Sequence, residues 1–555
     1  MKIFVLIPVA LLALVAPFNR AFAQTWLWTN GAGALGWDAG TGVATDASGN
    51  ILATGHFESP TLNFGGTILN NAGTESMFVA KYNPDGDILW ANSVGENGAV
   101  VQATGISTDA AGNVLVTGFF TGATVTFGTT VLVGIGDYNM FIVKYDPNGN
   151  ILWANGAGGN GLTVGSNVST DAAGNVLVAV YSDSPTLTFG TTILSGAGDI
   201  DIFIVKYAPD GSVLWANHAG GTREDYGWDI SSDAAGNILV TGYFGSPTLN
   251  FGSTTLNNAN EGLGDMFIVK YAPNGSVLWA NRTGGNATDF GYSISCDAAG
   301  NALIIGTFES STLTFGSTTL SNTGVGFSDI FVAKYDPNGN VLWANRAGGA
   351  VNDFGYSISI DGLGNALVIG HFESSTLTFG TTVLSNSNAG SLDIFMAKYA
   401  PDGNVLWANR AGGVVSDYGF DISADASNNV IITGFFESPS ITLGNTVLTN
   451  AGSSDIFVAK LSSGPTSIDE WATDNEQWTI SPNPFTTQTT MQTDNPLHNT
   501  SLFVYNSLGQ IVKEINNISE KTITLQRGNL PCGLYFARLV QDNRVIATKK
   551  LVVSD

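Results

Sequence analysis

Trp26-Leu27-Trp28-Thr29-Asn30 is a strand with no sheet of its own. The phrase Leu-Trp-x-Asn recurs later in the chain, as in Val341-Leu342-Trp343-Ala344-Asn345, but there it ends a repeated unit. The units are marked by boxes of the type Asp-x-x-Gly-Asn beginning at Asp46, Asp109, Asp171, Asp233, Asp297, Asp361 and Asp425, a spacing of 62–64 residues. Each box leads to a strand ending in Phe-x-x-Lys, and the seventh unit stops at Lys460 without reaching its Leu-Trp. A period this long, built of β-type runs and tight turns, signals repeated small sheets. The broken last unit and the orphan first strand complete each other if the array closes into a ring.

Residues 289–346 show what one unit contains. Tyr292-Ser293-Ile294-Ser295 alternates as a half-buried strand does, and Asp297-Ala298-Ala299-Gly300-Asn301 is a turn, since Asp bonds its own backbone and Gly accepts positive φ. Ala302-Leu303-Ile304-Ile305-Gly306 is continuously apolar, as in a sheet covered on both faces. The excursion Ser311 to Leu320 reads as a small hairpin, Ile330 to Tyr335 as the third strand, Pro337-Asn338-Gly339 as a turn and Val341 to Asn345 as the fourth strand. Nothing has helical spacing. The pattern predicts an all-β chain: a seven-bladed β-propeller over 24–461, closed by an N-terminal strand that pairs with Ile456–Lys460. An open solenoid is the competing fold and would need polar caps at its ends; the terminal units lack them.

The repeats Asp-Ala-Ala-Gly-Asn-(Val/Ile)-Leu-Val-Thr-Gly through Phe-(Ile/Val)-(Val/Ala)-Lys-Tyr resemble the bacterial SBBP propeller repeats over about 26–461. That resemblance implies a propeller on a secreted or surface protein and no particular chemistry.

The flanks state a route. Lys2, the apolar run Ile3 to Val15 and Ala21-Phe22-Ala23 read as a signal peptide over 1–23, too short for a membrane span, and no later segment spans. Residues 462–478 read as a linker, and 479–555 as a small C-terminal β-sandwich of short runs. This module carries Ser481-Pro482-Asn483-Pro484-Phe485, Val504 to Val512, Gly533-Leu534-Tyr535 and a terminal Lys549-Lys550-Leu551-Val552. In that motif order it resembles the C-terminal sorting domain of the type IX secretion system of Bacteroidetes. The resemblance implies export to the outer-membrane surface or the medium, with the secretion machinery as partner and Pro482, Asn483, Pro484, Gly533, Tyr535, Lys549, Lys550, Leu551 and Val552 as the sorting signal. An Ig-like binding module is the alternative.

Composition excludes some functions. The net charge is −25 with 20 Lys and Arg, which leaves no basic footprint for nucleic acid. Of two cysteines, Cys296 sits where other units place Thr45, Thr108, Thr170, Ser232, Ile360 and Ala424, and Cys532 lies in another module, so no disulfide is expected. Four His form no metal spacing and no catalytic triad. His56 and His371 share a repeat position with Phe119, Tyr243, Thr307 and Phe435 and read as packing residues. Gly31 to Gly36 matches GxGxxG but sits in no strand-to-helix unit.

Residues present in every unit read as scaffold: the box Asp, the strand Lys, expected to pair between blades, and the Trp, expected to pack between sheets. Residues that break the symmetry are the functional candidates. The longer connections all fall at one end of the blades, and loops carry sites. There Asp38, Asp225, Asp289, Asp353 and Asp417 precede five consecutive blades of the ring, with Tyr226, Phe290, Phe354 and Tyr418 beside four of them. A solvent-facing carboxylate arc would take calcium or a hydroxyl-rich ligand, with aromatic stacking; the structural alternative is that each Asp caps a turn or pairs with Arg282, Arg346 or Arg410. No cofactor is otherwise implied. The expectation is a non-enzymatic binding or adhesion scaffold for a glycan or surface protein, and the alternative is a carbohydrate-active enzyme with two carboxylates on that face.

Overall fold

The computed structural model describes residues 24–258, 263–324, 326–463, 478–493, 496–506, 511–541 and 544–554. The expected signal peptide and most of the expected linker lie outside the described residues. Two compact units are divided after Ser462, and the first is all-β and propeller-like.

Among the described residues one four-strand antiparallel pattern occurs seven times, and in its fifth copy the strand Val341–Gly348 also pairs at two residues with the hairpin strand Thr376–Phe379 of the following unit, making a six-stranded sheet. Sheet 1 is Asp38–Thr45, Ile51–Phe57, Ser76–Tyr82 and Ile88–Val94, in that spatial order. Sheets 2 to 6 repeat the pattern, and sheet 7 is Asp417–Ala424, Val430–Phe436, Asp455–Leu461 and, at its outer edge, Trp26–Ala32. The N-terminal strand runs antiparallel to Asp455–Leu461 with Trp28 opposite Lys460 and Asn30 opposite Val458.

Burial follows the sequence pattern strand by strand. In every sheet the third strand is buried throughout, which is why it carries no alternation. Its apolar side chains meet those of the neighbouring sheets in seven interleaved layers, one of which joins Ile431, Ile456 and Val458 of sheet 7 to Val43, Ile51 and Phe78 of sheet 1. Each first strand lies at a sheet edge and hydrogen-bonds the next sheet's first strand, as Thr41 Oγ1 does to the Ala103 carbonyl and Thr104 Oγ1 to the Gly165 carbonyl. The excursion between strands two and three is a hairpin of its own, such as Thr312–Phe315 with Thr318–Ser321.

The repeated polar residues build a latch between sheets. In all seven units the strand Lys reaches the box Asp of its own sheet at 2.7–2.9 Å. This corrects the expected pairing between blades. The Lys crosses to the next sheet through a different acceptor: in sheet 4, Lys270 Nζ and Trp279 Nε1 both donate to the Pro337 carbonyl of sheet 5, at 3.5 and 3.0 Å. Asn281 Nδ2 donates to the Gly339 carbonyl at 2.7 Å. Gly339, at φ 87, brings the turn beneath the Trp279 ring, where a Cβ would crowd the indole. Between sheets 7 and 1 the same latch joins Lys460, Trp28 and Asn30 to Pro84 and Gly86. The box turn needs a left-handed residue, and Asn428 takes it in the seventh unit at φ 64, as Asn tolerates.

The second unit has a three-stranded sheet (Trp478–Ser481, Gln488–Thr493, Thr522–Gln526) and a four-stranded one (Ile511–Ile518, Thr500–Asn506, Gly533–Gln541, Arg544–Val553). They share a core that includes Trp478, Met491, Leu502, Leu525, Ala537 and Leu551. Trp478, placed at the end of the expected linker, packs in this core. No disulfide joins Cys296 and Cys532.

Removing one partner of a buried ion pair strands the other charge. Lys334→Met should lower stability by about 3–5 kcal/mol in chemical denaturation, because Asp297 stays buried without its cation. The double variant Lys334→Met/Asp297→Leu should recover part of that loss.

Candidate functional site

The five carboxylates at the long-connection end are not a rim. Asp38, Asp225, Asp289, Asp353 and Asp417 are each 0% exposed. Asp289 shows why: its Oδ2 accepts from Ser310 Oγ at 2.7 Å and from the Gly285 N–H at 2.9 Å, and its Oδ1 accepts from the Ser310 N–H at 3.2 Å. Ser59, Ser246, Ser374 and Ser438 serve the other four. Each Asp ties the connection entering its sheet to the one leaving strand two. These carboxylates are thus buried within the connections they cap and do not face solvent as an arc. Three of the roughly four lone-pair sites of Asp289 are taken by N–H and O–H donors. Arg282, Arg346 and Arg410 pair with a second buried row, Asp265, Asp329 and Asp393.

Burial pushes Asp289 and Asp353 up to about 7, and Asp225 and Asp417 to about 6, against the pull of their donors. His56 and His371 are held down to about 4 and about 3 by burial, in keeping with packing roles.

The aromatic half of the expected site is accessible. Tyr226, Phe290, Phe354 and Tyr418 are partly exposed one residue into the first strands of sheets 4 to 7. Two residues further along each strand stand Trp228, Tyr292, Tyr356 and Phe420, also partly exposed. These form a continuous curved stack, with ring centroids 4.7, 5.2 and 5.4 Å apart from sheet to sheet. Tyr243, His371 and Phe435 of the second strands fill in behind. Sheets 1 to 3 carry Ala39 and Thr41, Gln102 and Thr104, and Val164 and Ser166 at the same positions. The mouth between the first strands is therefore aromatic on one side and small on the other. The inner row of the stack was missed from sequence, although the symmetry-breaking criterion applied to that position would have found it.

Deeper between the first strands lies a cavity of about 270 Å³ lined by serines and two acids, Asp229 and Asp421. Asp229 accepts from Asn167 Nδ2, Ser293 Oγ and the N–H groups of Ile230 and Ile294 at 2.6–2.7 Å. Asp421 accepts from Ser357 Oγ and from the N–H groups of Val43 and Ile422. Burial raises both to about 6. Other sheets have Gly42, Gly105, Asn167, Ser293 and Ser357 at this position, a signal also present in the sequence and not used.

In the second unit the two ends of the sorting motif meet. Asn483 Nδ2 donates to the Lys550 carbonyl and Asn483 Oδ1 accepts from the Val552 N–H, both at 2.8 Å. Tyr535 OH donates to the Pro531 carbonyl at 2.8 Å. The Lys549 and Lys550 side chains are exposed.

Residues 479–554 match the family described as secretion system C-terminal sorting domain. The chain is 27% identical over 530 residues to an uncharacterized WD repeat-containing protein, L264, of Acanthamoeba polyphaga mimivirus, a match covering 78% of this chain and 38% of that protein. The chain thus spans less than half the length of that relative. Among solved structures it is similar to PorZ, a surface component of the type IX secretion system of Porphyromonas gingivalis, at 11% identity and a TM-score of 0.21, covering 93% of this chain and 81% of that one. It is also similar to the Neurospora crassa Pan2 WD40 domain, at 10% identity and a TM-score of 0.30, covering 59% and 85%. At such identities the likeness bears on fold alone. The C-terminal module is a secretion-system sorting domain, which implies type IX export to the cell surface or extracellular space. No helix of the described residues is long and apolar enough to cross a membrane.

The raised carboxylates set a pH dependence. From the unfolded value of 3.8 up to about 7 the folded state holds protons at Asp289 and Asp353 that the unfolded state has released, so stability falls as pH rises through that window. The melting temperature should be higher at pH 5 than at pH 8. Below pH 3.8 the trend reverses, because the box carboxylates, such as Asp297, are held below their ordinary value; there burial opposes the charge, and Asn301 and Lys334 outweigh it.

Proposed function

We propose that this chain is an exported, non-enzymatic binding or adhesion propeller whose ligand, a glycan or a surface protein, sits on the aromatic side of its mouth. The observation that carries this is the confinement of eight partly exposed aromatic side chains to two positions in four consecutive sheets. The scaffold does not need them, since sheets 1 to 3 form the same strands without them. Exposed aromatic surface with polar edges is what recognition sites use.

The frame holding this surface is, in our reading, a closed ring of seven blades. Its support is the antiparallel pairing of Trp26–Ala32 with Asp455–Leu461, the sheet 7 to sheet 1 latch and the apolar layer between those sheets. A chain lacking residues 24–32 should lose most of its cooperative unfolding transition and aggregate, because the edge of Asp455–Leu461 and the face covered by Ala32 become free. Retention of the wild-type melting temperature would refute closure.

To test the binding surface, the full-length protein is screened on an array of glycans and extracellular proteins beside Tyr356→Ala/Phe420→Ala. Removing two stacking partners should weaken binding tenfold or more, with sheet content unchanged by circular dichroism. Equal binding by the variant would place the ligand elsewhere.

The acid pair in the deeper cavity favours a second reading, a carbohydrate-active enzyme, because two carboxylates raised to about 6 line one space. Against it, the Asp229 oxygens are filled by donors of the chain itself. Reducing-sugar release from a polysaccharide panel that vanishes in Asp229→Asn and Asp421→Asn would replace the binding reading.

A further inference from the structure

The aromatic mouth is most elaborated at sheet 4. The connection entering it carries Arg223 and Glu224, where the corresponding pairs before sheets 5, 6, 7 and 1 are Ala287-Thr288, Val351-Asn352, Val415-Ser416 and Gly36-Trp37. Two glycines are also peculiar to it. Gly245 follows strand two where the other units have Glu58, Thr121, Asp183, Glu309, Glu373 and Glu437, and Gly264 precedes strand three where they have Glu75, Tyr138, Ile200, Ser328, Leu392 and Ser454.

The backbone does not demand either glycine, for neither has φ in the left-handed region. A Cβ on Gly245 would meet nothing closer than the Glu224 carbonyl at 3.2 Å. A Cβ on Gly264 would overlap the Tyr243 ring, which lies across it. The Tyr243 ring takes the room at Gly264, the side chain that the repeat normally supplies at 245 is missing, and a cavity of about 540 Å³ stands beside them, within the ~300–1,000 Å³ usual for small-ligand sites.

Its walls have mixed chemistry. Tyr243 and Phe290 meet nearly edge to face, 5.0 Å between centroids and 74° between planes, and form an aromatic corner. Arg223 stands at the rim with Glu224 and Asp199, and Thr288 adds a hydroxyl. A cationic ligand would meet Arg223, and an anionic one would meet two carboxylates. A neutral polyol with an apolar C–H face matches every wall: the ring faces take the C–H side, the guanidinium donates to oxygens, and the carboxylates accept from hydroxyls.

We propose that this cavity is a subsite for a neutral sugar ring; the inference rests on reading the mouth as a binding surface. The test is isothermal titration of the full-length protein with neutral oligosaccharides selected on a glycan array, alongside acidic and amino sugars. Wild type should bind a neutral oligosaccharide. Gly245→Glu, which restores the commonest residue of the repeat, should fill the cavity and weaken that binding at least tenfold with an unchanged melting temperature. Glu224→Gln, an exposed change with no folding hazard, should weaken it severalfold and guards against failure of the first variant to fold. Binding of only charged sugars, or of no sugar, overturns the proposal. So does a neutral sugar whose affinity ignores both variants. If that affinity nonetheless falls in Tyr356→Ala/Phe420→Ala, the mouth remains the binding surface and only the subsite is lost.

Discussion

The carbonyl of one turn proline holds each sheet except the sixth to the next. Pro337 O receives both the Lys270 ammonium and the Trp279 indole N–H of the preceding sheet, and the same convergence occurs at Pro84, Pro147, Pro209, Pro273 and Pro401. Proline suits the position because φ near −65° opens the turn and no N–H competes for the space. The box Asp of its own sheet lies 2.7–2.9 Å from the same Lys Nζ and holds it in place. A buried pair of this kind contributes little net stability over an apolar one. What it fixes is register: a one-residue slip in the third strand would turn the Lys to the opposite face.

This latch explains why the fold was legible and the site only partly so. Seven copies of Asp, Lys, Trp and Asn at constant offsets report a sevenfold structural job, and the broken seventh unit points to Trp26–Asn30 as its missing strand. The same symmetry hides function. Asp289 and its four counterparts look like a carboxylate arc because sequence gives their end of the sheet but not their depth. Ser310 and its counterparts, 21 residues downstream, decide the matter by capping them. Tyr226 and Phe290 were legible because they alternate with glycines on an exposed edge. Trp228 and Tyr292 are themselves the unpaired residues of a bulge, between Gly227 and Asp229 and between Gly291 and Ser293, where simple alternation stops reporting which face a side chain takes.

Scaffold bonds and the proposed recognition surface are therefore separated along the first strands that begin with Asp. Their leading Asp is sunk among donors, the next residues face the mouth, and the last residues hydrogen-bond the neighbouring sheet, as Thr45 Oγ1 does to the Ala424 carbonyl. Side chains at the mouth can vary without touching the latch, which lies at the opposite end of the blade. That division lets sheets 4 to 7 carry aromatics while sheets 1 to 3 keep small residues on the same backbone.

The seam shows what the latch costs when it is incomplete. Sheet 7 is assembled from the two ends of the repeat array and has no Pro-x-Gly turn. The Trp407 of sheet 6 accordingly has a buried indole N–H with no acceptor among the described residues, a loss of about 1–3 kcal/mol. Gln24 replaces the missing turn in part, its Oε1 accepting from Asn409 Nδ2 at 2.8 Å where other sheets offer a glycine carbonyl. Thr25 and Ser462 then bond reciprocally, Ser462 N–H to the Thr25 carbonyl at 2.8 Å and Thr25 N–H to Ser462 Oγ at 3.0 Å. The weakest junction in the array is thus between sheets 6 and 7. The sheet 7 to sheet 1 junction, where the chain ends are stitched together by Trp28 and Lys460, keeps every bond of the latch. In the closed ring proposed above, the strand Trp26–Ala32 completes sheet 7 because the residues it brings are the ones the next turn requires.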